Sequence, residues 1–174
     1  MDLVQLILEL IDLRSFSNLW YWIALGVIWS SAIHWVMGVP QDMIQRARRE
    51  RGEILADLES LVRINVARML YLSRASGAVM LAFLCFMVTT LGMLGFVYDV
   101  EFAQALLFIF VPLAVWGGLS LRTASIIARG EGQGDALFRR LFWHRLSTQV
   151  LGMIAILVTS LYGMWQNMQI SITN

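Results

Sequence analysis

The sequence predicts an all-α integral membrane protein: a bundle of four transmembrane helices, with an N-terminal interfacial amphipathic helix and a cytoplasmic amphipathic helix before the second span. Three observations carry this. Of 174 residues, 59% are hydrophobic and 14% charged, whereas an average soluble domain is roughly 45–50% apolar and about 25% charged. Four stretches, Ser15 to Gln41, Ala75 to Tyr98, Phe102 to Leu121 and Leu146 to Asn174, contain no Asp, Glu, Lys or Arg. The basic residues, all arginines, fall almost entirely between these stretches in two of the connecting segments.

Each charge-free stretch meets the length of about 20 apolar residues that a helix needs to cross the hydrocarbon core. In lipid every backbone amide must bond within its own segment, which selects helices. A β-barrel would show alternating strands of about ten residues, and a continuous run such as LAFLCFMVTTLGMLGFV excludes it. The expected order is an outer-surface helix over 1–18, spans over 19–39, 75–98, 102–121 and 147–166, an Arg-rich helical loop over 40–74, a short turn over 99–101, a Gly/Arg loop over 122–146, and a tail over 167–174.

The first segment places Asp2, Gln5, Glu9 and Asp12 on one helical face and Leu3, Leu6, Ile7, Leu10 and Leu13 opposite. That spacing describes a helix lying on the membrane surface, and a partner-binding helix has the same pattern. Its acids stand where a cleavable signal would carry positive charge. In the first loop Pro40 suits a helix start and Asp42 the positive end of the helix dipole. Gly52 follows the cluster Arg46 to Arg51 as a break. Leu55, Leu58, Leu61, Val62, Asn65, Val66 and Met69 then recur at helical spacing. In the second loop Gly130, Gly132 and Gly134 read as a flexible turn, without the strand or motif of a phosphate loop. Asp135 is expected to cap the helix that follows.

Arginine placement sets orientation. Arg46, Arg48, Arg49, Arg51, Arg63, Arg68 and Arg74 lie in the first loop, Arg122, Arg129, Arg139, Arg140 and Arg145 in the second, and only Arg14 lies on the other side. This positive-inside signal predicts two cytoplasmic loops and outward-facing termini in a bacterial inner membrane. Aromatic belts agree: Trp20, Tyr21, Trp22, Tyr98, Tyr162 and Trp165 on the outer side, and Trp35, Tyr71, Trp116 and Trp143 on the inner.

The chemistry in the sequence is sparse. His34 and His144 fall towards the cytoplasmic ends of the first and fourth spans, where two imidazoles can clamp a b-type haem. Local hydrogen bonding of His34 to Ser30 and Ser31 and interfacial packing of His144 account for them without a cofactor. The single cysteine, Cys85, cannot form an intrachain disulfide or a thiolate metal site alone, and it reads as a small packing residue. No nucleophile elbow and no metal-ligand spacing occur. The charge-free spans lack the intramembrane carboxylates common in proton-coupled pumps. The sequence therefore gives no sign of an enzyme. Five acids offset the seven arginines of the first loop, which argues against nucleic acid. Arg139, Arg140 and Arg145 with Phe142 and Trp143, opposite Arg122, form a candidate seat for an anionic headgroup such as cardiolipin; ordinary interfacial anchoring uses the same residues. Gly26 with Ser30, Gly117 with Gly118, and Gly92 with Gly95 allow close helix approach within the chain or towards another. Pro112 is expected to kink the third span.

Several stretches also resemble a known family: the run from Arg14 to Leu25, the run from Trp29 to Asp42, Asp57-Leu-Glu-Ser-Leu-Val-Arg-Ile-Asn-Val, and Glu101-Phe-Ala-Gln-Ala. Together they are similar to small membrane proteins of Rhodobacter-like alphaproteobacteria, whose sequences often carry the label "component of SufBCD complex". The resemblance implies a bacterial inner-membrane location and a link to iron–sulfur assembly. It transfers no catalytic residue, and this chain has one cysteine and no nucleotide motif.

The expectation is a non-catalytic accessory, assembly or scaffold subunit of a larger membrane complex, with Leu3, Leu6, Ile7, Leu10, Gly26, Ser30, Gly117 and Gly118 available to a partner. The alternatives are an oligomeric small-molecule channel or transporter with a polar path through Ser30, Ser31, His34, Thr89 and Thr90, and a haem protein dependent on His34 and His144.

Overall fold

The computed structural model describes residue 16 and residues 18–173, with side chains as far as 168. Apart from Phe16 and Asn18, the expected outer-surface helix, with Leu3, Leu6, Ile7 and Leu10, lies outside the described residues. The described fold is helical except for one small hairpin. Three of its helices are long and apolar enough to cross a membrane, and a fourth, Leu19–His34, is apolar but shorter.

Helix α1 spans Leu19–His34. It starts where the Asn18 side chain accepts the Trp20 N–H at 3.0 Å, satisfying one of the orphan donors of the first turn. The helix carrying the expected span over 19–39 therefore ends five residues early. Strands β1 (Trp35–Val36) and β2 (Val39–Pro40) pair antiparallel. Met37 at φ 55 and Gly38 at φ 76 form the two-residue turn between them. Positive φ at both turn positions suits the twist of a tight hairpin and cannot continue an α-helix.

Helix α2 spans Gln41–Glu50, with Asp42 in its first turn and Arg48 and Arg49 in its last, the charge order the helix dipole favours. Arg51 at φ 48 and Gly52 at φ 62 break the chain as expected at the glycine. Helix α3, Glu53–Phe96, then runs uninterrupted for 44 residues, about 66 Å at 1.5 Å per residue. The loop helix and the second span are thus one rod, twice as long as a bilayer core is thick. After a turn with Asp99 at φ 53, helix α4 covers Glu101–Ile126 with Pro112 inside it. It passes into a π-helical turn over Ile127–Glu131, where Gly130 takes φ 140. Helix α5, Gly134–Thr173, is 40 residues long. It includes most of the segment expected as an uncharged tail, because no helix breaker follows Gly163.

The buried side chains form two separate cores. The larger lies at the arginine-rich end and joins every element except α1: Val36, Met37 and Val39 of the hairpin, Ile44 and Ala47 of α2, Leu58, Val62 and Val66 of α3, Ala124 and Ile127 beyond mid-α4, and Leu137 and Leu141 of α5. The spacing of four between Leu58, Val62 and Val66 sets one stripe of α3 against this cap. The smaller core, Leu25 and Trp29 of α1 with Ala155 of α5, lies among the apolar runs. Here Gly152 admits the Trp29 indole, since a Cβ would stand 3.0 Å from it.

At the opposite end the helices are stitched by polar and aromatic contacts. The Phe16 N–H donates to Glu101 Oε1 at 2.8 Å, and Trp22 Nε1 donates to the Phe16 carbonyl at 3.0 Å. The Phe16 ring packs edge-on against Tyr21, Phe108 and Tyr162. Gln104, 2% exposed, donates to the Gly95 carbonyl at 2.6 Å. A Cβ at Gly95 would lie 2.9 Å from the Gln104 side chain, so glycine permits the closest approach of α3 and α4.

Candidate functional site

Two surfaces stand out once the cores are removed from consideration. The first is the arginine-rich cap, and the second is an uncovered apolar face.

The cap is held by four polar links. Glu59 Oε1 on α3 accepts the Gly134 N–H at 2.7 Å. This fills at long range the capping role expected of Asp135, which instead sits in the first turn of α5 and pairs with Arg51 at 2.9 Å, both side chains mostly exposed. Arg140 reaches back across the glycine turn to Glu131, with Nε and Nη2 each 2.7 Å from Oε2. Asn65 donates through Nδ2 to the carbonyls of Met37 at 3.3 Å and Gly38 at 3.2 Å, which seats the hairpin turn on α3. The sequence signal for Asn65 was a polar residue inside an otherwise apolar helical stripe. Glu59 carried no such signal, because its partner lies 75 residues away.

Two hollows border the cap. A groove of about 850 Å³ runs between α3 and the glycine turn, past Glu59, Arg63, Tyr71 and Arg74 on one wall and Gly130 and Gly132 on the other. A smaller cavity of about 200 Å³ lies between the hairpin, α3 and α4, lined by Trp35, Asn65, Arg68, Trp116 and Ser120 among others.

The expected headgroup cluster is only partly assembled. Arg122 and Arg139 are exposed, as are Phe142 and Trp143. Arg140 is committed to Glu131 because the turn brings that carboxylate beside it. Arg145 is half-buried, and its Nε finds no partner among the described residues. The two histidines occupy unlike surroundings. His144 is buried, with Nδ1 3.1 Å from Thr123 Oγ1, whereas His34 is exposed at the end of α1 with its ring edge-on to Trp35. A haem clamp needs both rings turned to one iron, and here one ring is buried within the bundle while the other is exposed. Among the described residues no group of three or more His, Cys, Asp or Glu is placed to hold a metal ion. Ser30, Ser31 and Thr89, named for a polar path, are exposed, so a path through them would run between chains.

The second surface is the middle of α3 and α4. Between Val66 and Gly95 no residue of α3 is buried, and between Ala105 and Ser120 none of α4 is. Val79 is 72% exposed, and Leu81, Phe83 and Phe86 are each more than half exposed. Cys85, read as a small apolar packing residue, is exposed here too. Gly26, Gly117 and Gly118 meet no atom within 4 Å of where a Cβ would stand. Their missing side chains thus admit nothing from this chain, unlike Gly95 and Gly152. The middles of α3 and α4 keep half-buried contacts but no buried side chain, between ends that hold both.

Fold and surfaces together define the class: an all-helical protein with three helices fit to cross a membrane, an arginine-rich helical cap and an open apolar face. No protein-family model, curated protein or solved structure matches the chain.

Proposed function

We propose that this chain is a non-catalytic accessory, assembly or scaffold subunit of a larger bacterial inner-membrane complex. It crosses the membrane four times, α1 being the short first span, with the arginine-rich cap in the cytoplasm and both termini outside. The distribution of arginines supports the orientation. The observation that carries the functional reading is the uncovered α3–α4 face. A helix inside a bilayer gains nothing from hydrophobicity by leaving lipid for protein. Association there depends on packing, and open glycines such as Gly117 and Gly118 let a neighbouring helix come close.

The test is mild-detergent affinity purification from the native host, with mass spectrometry of the same sample. A stoichiometric membrane partner is expected, retained by the wild type and lost on Gly117→Leu, a change that meets no atom of this chain. Recovery of the chain alone, with no co-purifying membrane protein after gentle extraction, would overturn the reading.

A further inference from the structure

We propose that the cavity between the hairpin, α3 and α4 binds the phosphate of an anionic glycerophospholipid from the cytoplasmic leaflet, with Arg68 and Trp116 as its donors. This rests on the membrane placement argued above and is independent of the accessory role.

Start with the donors. The Trp116 indole N–H is buried and has no hydrogen-bond partner among the described residues. A buried donor left unmatched is costly, so native proteins seldom keep one without a use. Trp116 lines the cavity, and so does Arg68. Arg68 is exposed, and among the described residues it pairs with no carboxylate, the ion pairs being those of Arg51 and Arg140. The other side-chain donors are already spent. Asn65 Nδ2 donates to Met37 and Gly38, and the Ser120 hydroxyl donates to the Trp116 carbonyl at 2.9 Å. The donors that remain are one cation and one neutral N–H.

The sign of the ligand follows. No carboxylate lines this cavity. An aromatic pair such as Trp35 and Trp116 can also cage a quaternary ammonium, but Arg68 would repel it. A guanidinium beside a neutral N–H donor suits a phosphate oxyanion.

The source follows from depth. Arg68 stands seven residues before the charge-free run that begins at Ala75, about 10 Å along the helix. Trp116 and Ser120 belong to the charge-free run on α4, and Trp35 is 51% exposed beside them. One wall therefore belongs to the headgroup layer and the other to the hydrocarbon boundary, the depth at which tryptophan and arginine meet lipid phosphates. A phosphate with its glycerol fits a space of about 200 Å³, and the acyl chains would leave towards the bilayer. Free phosphate offers the same oxyanion chemistry without a reason for the apolar wall.

Native mass spectrometry of the full chain in detergent, titrated with phosphatidylglycerol, phosphatidylcholine or inorganic phosphate, tests the assignment. Phosphatidylglycerol is expected to be retained about tenfold more tightly than phosphatidylcholine. Arg68→Gln should weaken retention about fivefold, the effect of one basic residue at a membrane surface, and Arg68→Lys should recover part of it. Trp116→Phe keeps the ring, removes the donor, and should also weaken retention several-fold. Arg49→Gln, an exposed arginine on α2, should change nothing, and unchanged thermal melting of the variants separates site loss from misfolding. Retention of phosphatidylglycerol by Arg68→Gln and Trp116→Phe equal to wild type would overturn the site. Equal retention of phosphatidylcholine would overturn the charge argument, and binding of inorganic phosphate as tight as that of the lipid would overturn the lipid source. Alkaline carbonate extraction from native membranes reports the membrane placement separately.

Discussion

Gly38→Ala isolates the contact that fastens the hairpin to α3. Gly38 holds φ 76, and a Cβ there would stand 2.8 Å from Asn65 Nδ2. An L-residue in this region costs about 1–2 kcal/mol in backbone energy, and the lower entropy of the unfolded alanine chain returns about 0.4–1 kcal/mol. The backbone contribution is therefore about 1 kcal/mol net. The larger part is steric. The Asn65 amide must move, and it is the group bonded to the Met37 and Gly38 carbonyls. Losing two such bonds costs about 1–3 kcal/mol, so Gly38→Ala should destabilise by about 2–4 kcal/mol. Asn65→Ala alone should cost about 1–3 kcal/mol. In the double variant the clash has no target and the bonds are already gone. Its cost should fall short of the sum of the single costs by about 1–3 kcal/mol. Equilibrium unfolding in mixed micelles, followed through tryptophan fluorescence, measures all four corners of the cycle. Single-variant costs that add within about 0.5 kcal/mol would refute the coupling, and with it the claim that Asn65 is what fills the space above Gly38.

Two further outcomes follow from burial and capping. Leu58→Ala, at a fully buried position of the cap, should cost about 2–5 kcal/mol. By contrast Phe86→Ala, on the bare face of α3 at 61% exposure, should stay within about 0.5 kcal/mol in the same unfolding assay; equal costs would mean the cap is not the stabilising core. Glu59→Ala should cost about 1–2 kcal/mol by orphaning the Gly134 N–H, and Glu59→Gln less, because an acceptor oxygen remains. Asp135→Ala removes only an exposed ion pair and should be nearly silent in thermal melts; a larger loss from Asp135 than from Glu59 would reverse the capping assignment.

Much of this architecture is written in local pattern. The apolar runs became helices, Gly52 broke the chain, and Gly130 and Gly134 took the positive φ that a glycine turn uses. Hydropathy failed where composition and geometry part company. Trp-Val-Met-Gly-Val-Pro at 35–40 is as apolar as the helix before it, so its mean hydropathy extended the first span. The informative signal was a Gly two residues before a Pro, a turn followed by a residue without an N–H. The tail over 167–174 was read as a tail for its polarity, yet an α-helix continues until something stops it. The site residues were harder to see. Arg140 was grouped with its arginine neighbours, and only the fold of the glycine turn brings Glu131 to it. Glu59 with Gly134 is a pairing across 75 residues, and Arg68 and Trp116 line one cavity from two helices; both are set by how the cap packs and not by spacing along one helix.

The cap and the opposite end of the bundle share the work of holding α3. The cap holds α3 through Leu58, Val62 and Val66, and the far end holds it through Gly95 against Gln104. A 44-residue helix anchored at both ends does not need side contacts along its middle to stay placed. The intervening residues keep partial contacts within the chain, and none of them is buried. In water such a bare stretch would be a liability, whereas in lipid it is solvated on equal terms with a packed one. The arrangement thus keeps a rigid apolar surface open at no cost in folding. In the accessory-subunit reading proposed above, its open glycines on α1 and α4 are where a second helix would approach, since a Cβ there meets nothing of this chain. Rigidity matters to such docking because a surface already ordered by its own two ends loses little further entropy when a partner covers it.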